Sequence, residues 1–268
     1  MIVTALTEMF GLQHPIVLGP MGSVSGGHLA AAVSNAGGLG LVGGGYGDPA
    51  WLRTELSRVK AETSRPWGVG LITWSIDRSV LDLALSYRPD AFLLSFGDPR
   101  PYAPAIKSAG CKLICQVQDV EQARVARDAG ADLIVAEGTE AGGHSGARAT
   151  LPLVPAVVDA VTPIPAVAAG GIADGRGLAA SLMLGAHGAL SRRRETRLRA
   201  RTCSTSCAAT RGPRPIPGAH FATASWSAGT AARAICPRHW KPNVPRIRRP
   251  PAKAITLRRS CGLARPST

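Results

Sequence analysis

The sequence predicts an α/β chain of the (β/α)8-barrel class, interrupted at its eighth strand and followed by a basic tail. Three observations predict it. The length of 268 residues suits one such domain. Between residues 15 and 190, short apolar runs alternate with helix-like segments, the pattern of successive βαβ units around a parallel sheet. The C-terminal ends of those runs are rich in glycine, and that is the end where such barrels place their ligands.

The elements follow in order. Residues 15–21 (PIVLGPM) read as a buried strand ending in a turn of small residues. The helix-like AAAVSNAG stops at Gly37 and Gly38. Residues 39–45 (LGLVGGG) form a second strand. Residues 48–62 form a helix with Pro49 placed in its first turn, where a missing N–H costs nothing. Residues 67–74 (WGVGLITW) are the third strand, with a helix from about Asp77, and AFLLSF at 91–96 is the fourth. A short helix at 104–108 leads to CKLICQV, the fifth strand. The next helix has Asp119 as its cap and Gly130 as its stop. ADLIVAEG at 131–138 is the sixth strand. A long loop, GTEAGGHSGARAT, precedes the helix-like LPLVPAVVDAV. IPAVAAGG at 164–171 is the seventh strand, and DGRGLAASLMLG is its helix. AHGAL at 186–190 begins an eighth strand, where the pattern stops.

From Ser191 the text changes. Residues 1–190 hold 13 Lys/Arg and 16 Asp/Glu, whereas 191–268 hold 18 Lys/Arg and the single acid Glu195. The net charge of +14 therefore belongs to the tail, which argues against a nucleic-acid-binding body. The tail is rich in Arg, Ala, Pro, Ser and Thr and has no apolar period. Such a segment cannot bury enough surface to offset its chain entropy, so disorder is expected there. The switch within an element to residues with GC-rich codons points to out-of-frame translation. Cys203, Cys207, His220, Cys236 and His239 match no usual zinc spacing, and no metal site is expected. Specific nucleic-acid recognition is not expected either, since the arginines lack interleaved aromatics. No uncharged apolar run of about 18 residues predicts a membrane span, and the start of the chain lacks the basic and apolar regions of a secretory signal. A cytoplasmic protein is expected. Cys111 and Cys115 read as core thiols.

Three features of the body could carry chemistry. Glycines recur at one rim: Gly19, Gly22, Gly43–Gly45, Gly138, Gly142, Gly143, Gly170 and Gly171. Small residues let a flat cofactor and its phosphate approach backbone N–H groups. His144 sits on a glycine-rich loop just past a strand end, placed to act as a base or to hold an anion. Gln116 and Glu137 end the fifth and sixth strands and would face the mouth. His14, His28 and His187 read as structural or exposed.

The segments IVLGPM, GGLGLVGGG, AGADLIVAEGTEAGGHSG and IPAVAAGGIADGRGLAASLMLGA, in that order, resemble the nitronate monooxygenase family (2-nitropropane dioxygenases) over residues 8–190. Flavin-dependent enoyl-acyl-carrier-protein reductases share a very similar EAGGH loop. The resemblance implies a TIM barrel with a smaller substrate-side domain. It also implies non-covalent FMN and oxidation of alkyl nitronates by O2 to a carbonyl compound and nitrite. It places His144 as the catalytic residue. Met21 and Gly22 would lie by the flavin ring, Gln116 and Glu137 at its polar edge, Gly142 along the site, and Gly170–Gly171 at the phosphate. Competing readings are the NADH-dependent enoyl reductase and an inactive barrel remnant whose tail binds polyanions.

Two departures from the family pattern stand out. The third strand has Gly70 where the family has an asparagine. After Gly188-Ala189-Leu190, Ser191-Arg192-Arg193 replaces a Met-Gly-Thr-Arg-Phe motif that completes the phosphate site. An open sheet edge, an uncovered flank, poor solubility and weak FMN binding are expected.

Overall fold

The computed structural model describes residues 2–144 and 146–192. The tail from 193 onward, with its expected disorder and frame change, lies outside the described residues.

Eight parallel strands form a barrel: β1 (Ile16–Leu18), β2 (Gly40–Gly45), β3 (Trp67–Ile72), β4 (Ala91–Ser95), β5 (Lys112–Val117), β6 (Leu133–Glu137), β7 (Ala166–Ala169) and β8 (Ala189–Ser191). Between them run α2 (Gly27–Asn35), α3 (Pro49–Glu62), α4 (Arg78–Ser86), α5 (Ala103–Ser108), α6 (Val120–Asp128), α7 (Thr150–Val161) and α8 (Gly175–Met183), while α1 (Ala5–Phe10) precedes β1. The sheet order is β1-β8-β7-β6-β5-β4-β3-β2. β1 and β2 meet through the Val17–Leu39 bridge, with Leu18 N–H donating to the Leu39 carbonyl at 2.9 Å and Leu39 N–H to the Ile16 carbonyl at 2.9 Å.

The expected open edge at strand eight is corrected. β8 is short but pairs on both sides: Ile16, Val17 and Leu18 of β1 register with Ala189, Leu190 and Ser191, and Ala168 and Ala169 of β7 register with Ala189 and Leu190. Three residues suffice because each strand of a parallel pair brings evenly spaced donors and acceptors. The flank that would follow β8 lies outside the described residues. Of α8 only Ser181 is buried, and Met183 is 87% exposed.

The strand pattern explains two cores. One set of side chains packs between the strands and the helices, including Val69, Phe92, Leu113, Ile134, Val154 and Val157. The alternate set, including Leu41, Leu93, Ile114, Leu133, Val135 and Val167, fills the barrel interior, as period-two alternation requires. Leu6 and Phe10 of α1 belong to that interior cluster. The sequence reading had no helix here. α1 is only six residues long and starts on a Thr4–Thr7 capping box, too short for helical periodicity to register.

The cap expected at Asp119 is present, and three further aspartates cap helices in the same way. Asp48, Asp77 and Asp119 accept N–H groups of the first turns of α3, α4 and α6, and Asp174 caps α8. The Cys115 thiol is pushed up to about 12, chiefly by burial and then by the negative charge of Asp132, as suits a core thiol. No helix among the described residues is long and apolar enough to cross a membrane.

Candidate active site at the barrel mouth

The interior faces of three strands continue past the apolar core into polar residues. Ile114 is followed at two-residue intervals by Gln116 and Gln118, Val135 by Glu137, and Leu93 by Ser95. The same alternation that fills the core therefore aims these groups at the C-terminal mouth. Gln116 Nε2 donates to Glu137 Oε2 at 2.8 Å. Gln118 Nε2 donates to the same oxygen at 3.0 Å. Ser95 Oγ donates to Gln116 Oε1 at 3.4 Å.

Glu137 is 5% exposed. Burial pushes its carboxyl above the ordinary 4.5, opposed by the amide donors of Gln118 and Gln116 and by the positive charge of Arg192. A carboxyl with a raised folded pKa favours the folded state while protonated, and that contribution fades as pH rises through the raised value. Glu137→Gln is therefore expected to match the parent below the ordinary 4.5 and to become the more stable chain as pH increases. Urea unfolding across a pH series reads this. A pH-independent difference would show that the Glu137 carboxyl titrates alike in the folded and unfolded chain.

His144 lies in the β6–α7 loop and is exposed. Its carbonyl accepts from Gln118 Nε2, which ties the loop to the polar floor. Its ring stands edge-on to Phe96 at 5.1 Å and to Trp74 at 5.8 Å. Trp74 in turn meets Tyr46 at 5.6 Å. Phe96 adopts φ 60°, a left-handed conformation unusual for a bulky residue and concentrated at functional sites.

Met21 and Gly22 follow β1. Met21 N–H donates to Ser25 Oγ at 2.6 Å, and that hydroxyl donates back to the Met21 carbonyl at 3.1 Å. Ser25, fully buried, so fixes the turn. Gly170 and Gly171 follow β7 with φ of 120° and 70°, backbone conformations that glycine adopts without strain. Gly142 carries no side chain, and a β-carbon there would overlap the Arg192 guanidinium.

The structure thus brings Gln116, Glu137 and the His144 loop together. It places Met21, Gly22 and the Gly170–Gly171 pair at other positions of the rim. The sequence reading missed Gln118, Ser25, Trp74, Phe96 and Arg192. Gln118 was accessible to it, two residues beyond Gln116 on the same face. At Gly70, where the family has an asparagine, a side chain would collide with the Pro20 ring. His28 lies away from these groups in sequence and pairs with Glu62 at 2.8 Å.

Comparison with known proteins agrees with this architecture. The chain is 40% identical over 191 residues to a (3aS,4S,5R,7aS)-5-hydroxy-7a-methyl-1-oxo-octahydro-1H-indene-4-carboxyl-CoA dehydrogenase of Mycobacterium tuberculosis (strain ATCC 25618 / H37Rv), covering 69% of this chain and 53% of that protein. It is 32% identical over 231 residues to a probable nitronate monooxygenase of Staphylococcus haemolyticus (strain JCSC1435), covering 68% and 64%. The chain therefore spans about half the length of the dehydrogenase. Among solved structures, FabK from Thermotoga maritima superposes with a TM-score of 0.67 at 38% identity, covering 71% of this chain and 61% of that one. Nitroalkane oxidase from Streptomyces ansochromogenes superposes at 0.63 and 32%, covering 70% and 67%. The nitronate monooxygenase family model matches residues 3–79 and 72–194. On this match, and on a barrel whose mouth carries the EAGGH loop above a polar floor, the chain belongs to the nitronate monooxygenase family.

Proposed function

We propose that the protein is an FMN-dependent oxidoreductase that oxidises alkyl nitronates with O2 to a carbonyl compound and nitrite. The observation that carries this reading is His144, exposed at the mouth, set against Trp74 and Phe96 and tied by its backbone to the Gln116–Glu137–Gln118 floor.

Most of the rim fits FMN. The Met21–Gly22 turn, pinned by Ser25, offers backbone to a flat ring. Gln116 and Glu137 offer hydrogen-bonding groups to its polar edge, and Gly170–Gly171 offer N–H groups to a phosphate. The β8 end does not fit as it stands, because Arg192 covers the face of Gly142 that a ring would need. When bound, FMN supplies electron acceptance and reoxidation by O2.

The chain's own residues do the rest. His144 holds the negative charge of a nitronate, or takes the α-proton of a neutral nitroalkane. Trp74 and Phe96 limit the ring positions open to it. The rim aromatics Tyr46 and Trp74 offer apolar surface to the alkyl group.

The test is nitrite release and O2 uptake on adding a nitronate to the FMN-loaded chain. Flavin retention without nitrite would reject the nitronate reading. A second reading, an NADH-dependent enoyl reductase, is favoured by the 38% identity to FabK. Oxidation of NADH dependent on an enoyl thioester would select it.

A further inference from the structure

We propose that Arg192 is an internal plug of this chain's barrel mouth, its guanidinium lying across the site from β8 and occupying the face of Gly142. This rests on the FMN reading above for the identity of what is kept out.

Three placements support it. Arg192 directly follows β8, so its backbone is anchored by the last pairing of the barrel, in which Gly19 N–H donates to the Ser191 carbonyl at 2.8 Å. The side-chain stem rests on the end of β1: a β-carbon at Gly19 would come within 2.9 Å of Arg192 Cγ. The head reaches the β6–α7 loop, where all the Gly142 neighbours closest to a β-carbon are atoms of the Arg192 guanidinium. The side chain thus bridges from the β1–β8 side of the rim to the β6 side.

Chemistry explains why it lies there. The mouth contains one buried carboxyl, Glu137, whose other partners are the neutral amides of Gln116 and Gln118, and the Arg192 charge acts on it. The absence of a side chain at Gly142 leaves room for the guanidinium to approach the backbone there. A cofactor ring needs that same face without a side chain above it. If the plugged form dominates, apparent affinity falls by the fraction of chains that are open.

The experiment compares the full-length parent with Arg192→Gly, with Arg192→Ser as the second variant should the glycine chain fail to fold. Two readouts are taken: FMN binding by quenching of flavin fluorescence, and the carboxyl titration of Glu137 by carbon NMR, its signal assigned with Glu137→Gln. The plug predicts FMN binding tighter by about tenfold or more in the variant, together with an upward shift of the Glu137 titration. An unchanged Glu137 titration overturns the proposal whatever FMN does, since the guanidinium then does not lie across the mouth. A shifted titration with equal or weaker FMN binding in the variant also overturns it, and makes Arg192 a bystander or a phosphate anchor. A shifted titration with no FMN binding to either chain supports the closure and rejects the flavin reading instead.

Discussion

Replacing His144 by alanine is expected to lower kcat/KM for a nitronate by about 10²–10⁴-fold on the FMN-loaded chain. The size follows from the role. A positioned group that carries a proton or holds the developing charge acts in the transition state, and its loss appears mainly in kcat/KM. The backbone keeps its place in the variant, because Gln118 donates to the His144 carbonyl and not to its ring. The Phe96 and Trp74 rings lose an edge contact, at a cost of about 0.5–1.5 kcal/mol each at most, too little to unfold the barrel. Steady-state kinetics with an unchanged thermal transition would therefore report chemistry. A loss smaller than about threefold would remove His144 from the mechanism.

The largest stability effect is expected at Glu55. It lies in α3 and is 5% exposed. Its Oε2 accepts the Gly27 N–H at 2.6 Å, which satisfies a free donor at the start of α2 where Gly26 supplies no side-chain cap. Arg58 Nη1 donates to Oε1 at 2.8 Å and to Oε2 at 3.1 Å. Glu55→Ala leaves a buried N–H without its acceptor and opens a gap between α2 and α3. The expected loss is about 2–3 kcal/mol, or roughly 5–10 °C in Tm for a domain of this size. Glu55→Gln keeps an acceptor oxygen and is expected to recover at least half of that loss. Calorimetry of both variants separates the hydrogen bond from the volume. Equal losses in the two would assign the effect to the charge of the carboxylate.

Glu55 also shows how legibility varies along the chain. It sits in α3, whose first-turn proline marks the helix start in the sequence. Nothing local marks that one of its side chains caps a different helix, because the partner lies 28 positions away. The cap Asp119 was readable for the opposite reason. It accepts the N–H three residues ahead, and such short loops are specified by neighbouring residues alone.

The site divides in the same way. Residue type alone did not single out His144, Gln116 and Glu137, since polar residues are common at strand ends and histidines in exposed loops. The family resemblance then gave them proposed roles. Trp74 and Phe96 were hidden, since aromatics at strand ends are ordinary until their rings are seen to meet His144. Ser25 was hidden because a small hydroxyl is unremarkable until its bonds to Met21 are drawn.

The sequence by itself determined the alternation of strands and helices and the mouth as the place of glycine and polar residues. These follow from period, cap and turn chemistry within a few residues. Only the tertiary structure decided that three residues of β8 pair with both β7 and β1, that α1 packs with the barrel interior, and that Arg192 reaches from Gly19 to Gly142. Each of these joins residues far apart in the chain, and local preference carries no information about which distant edge or glycine a side chain will meet once the sheet has curved and closed.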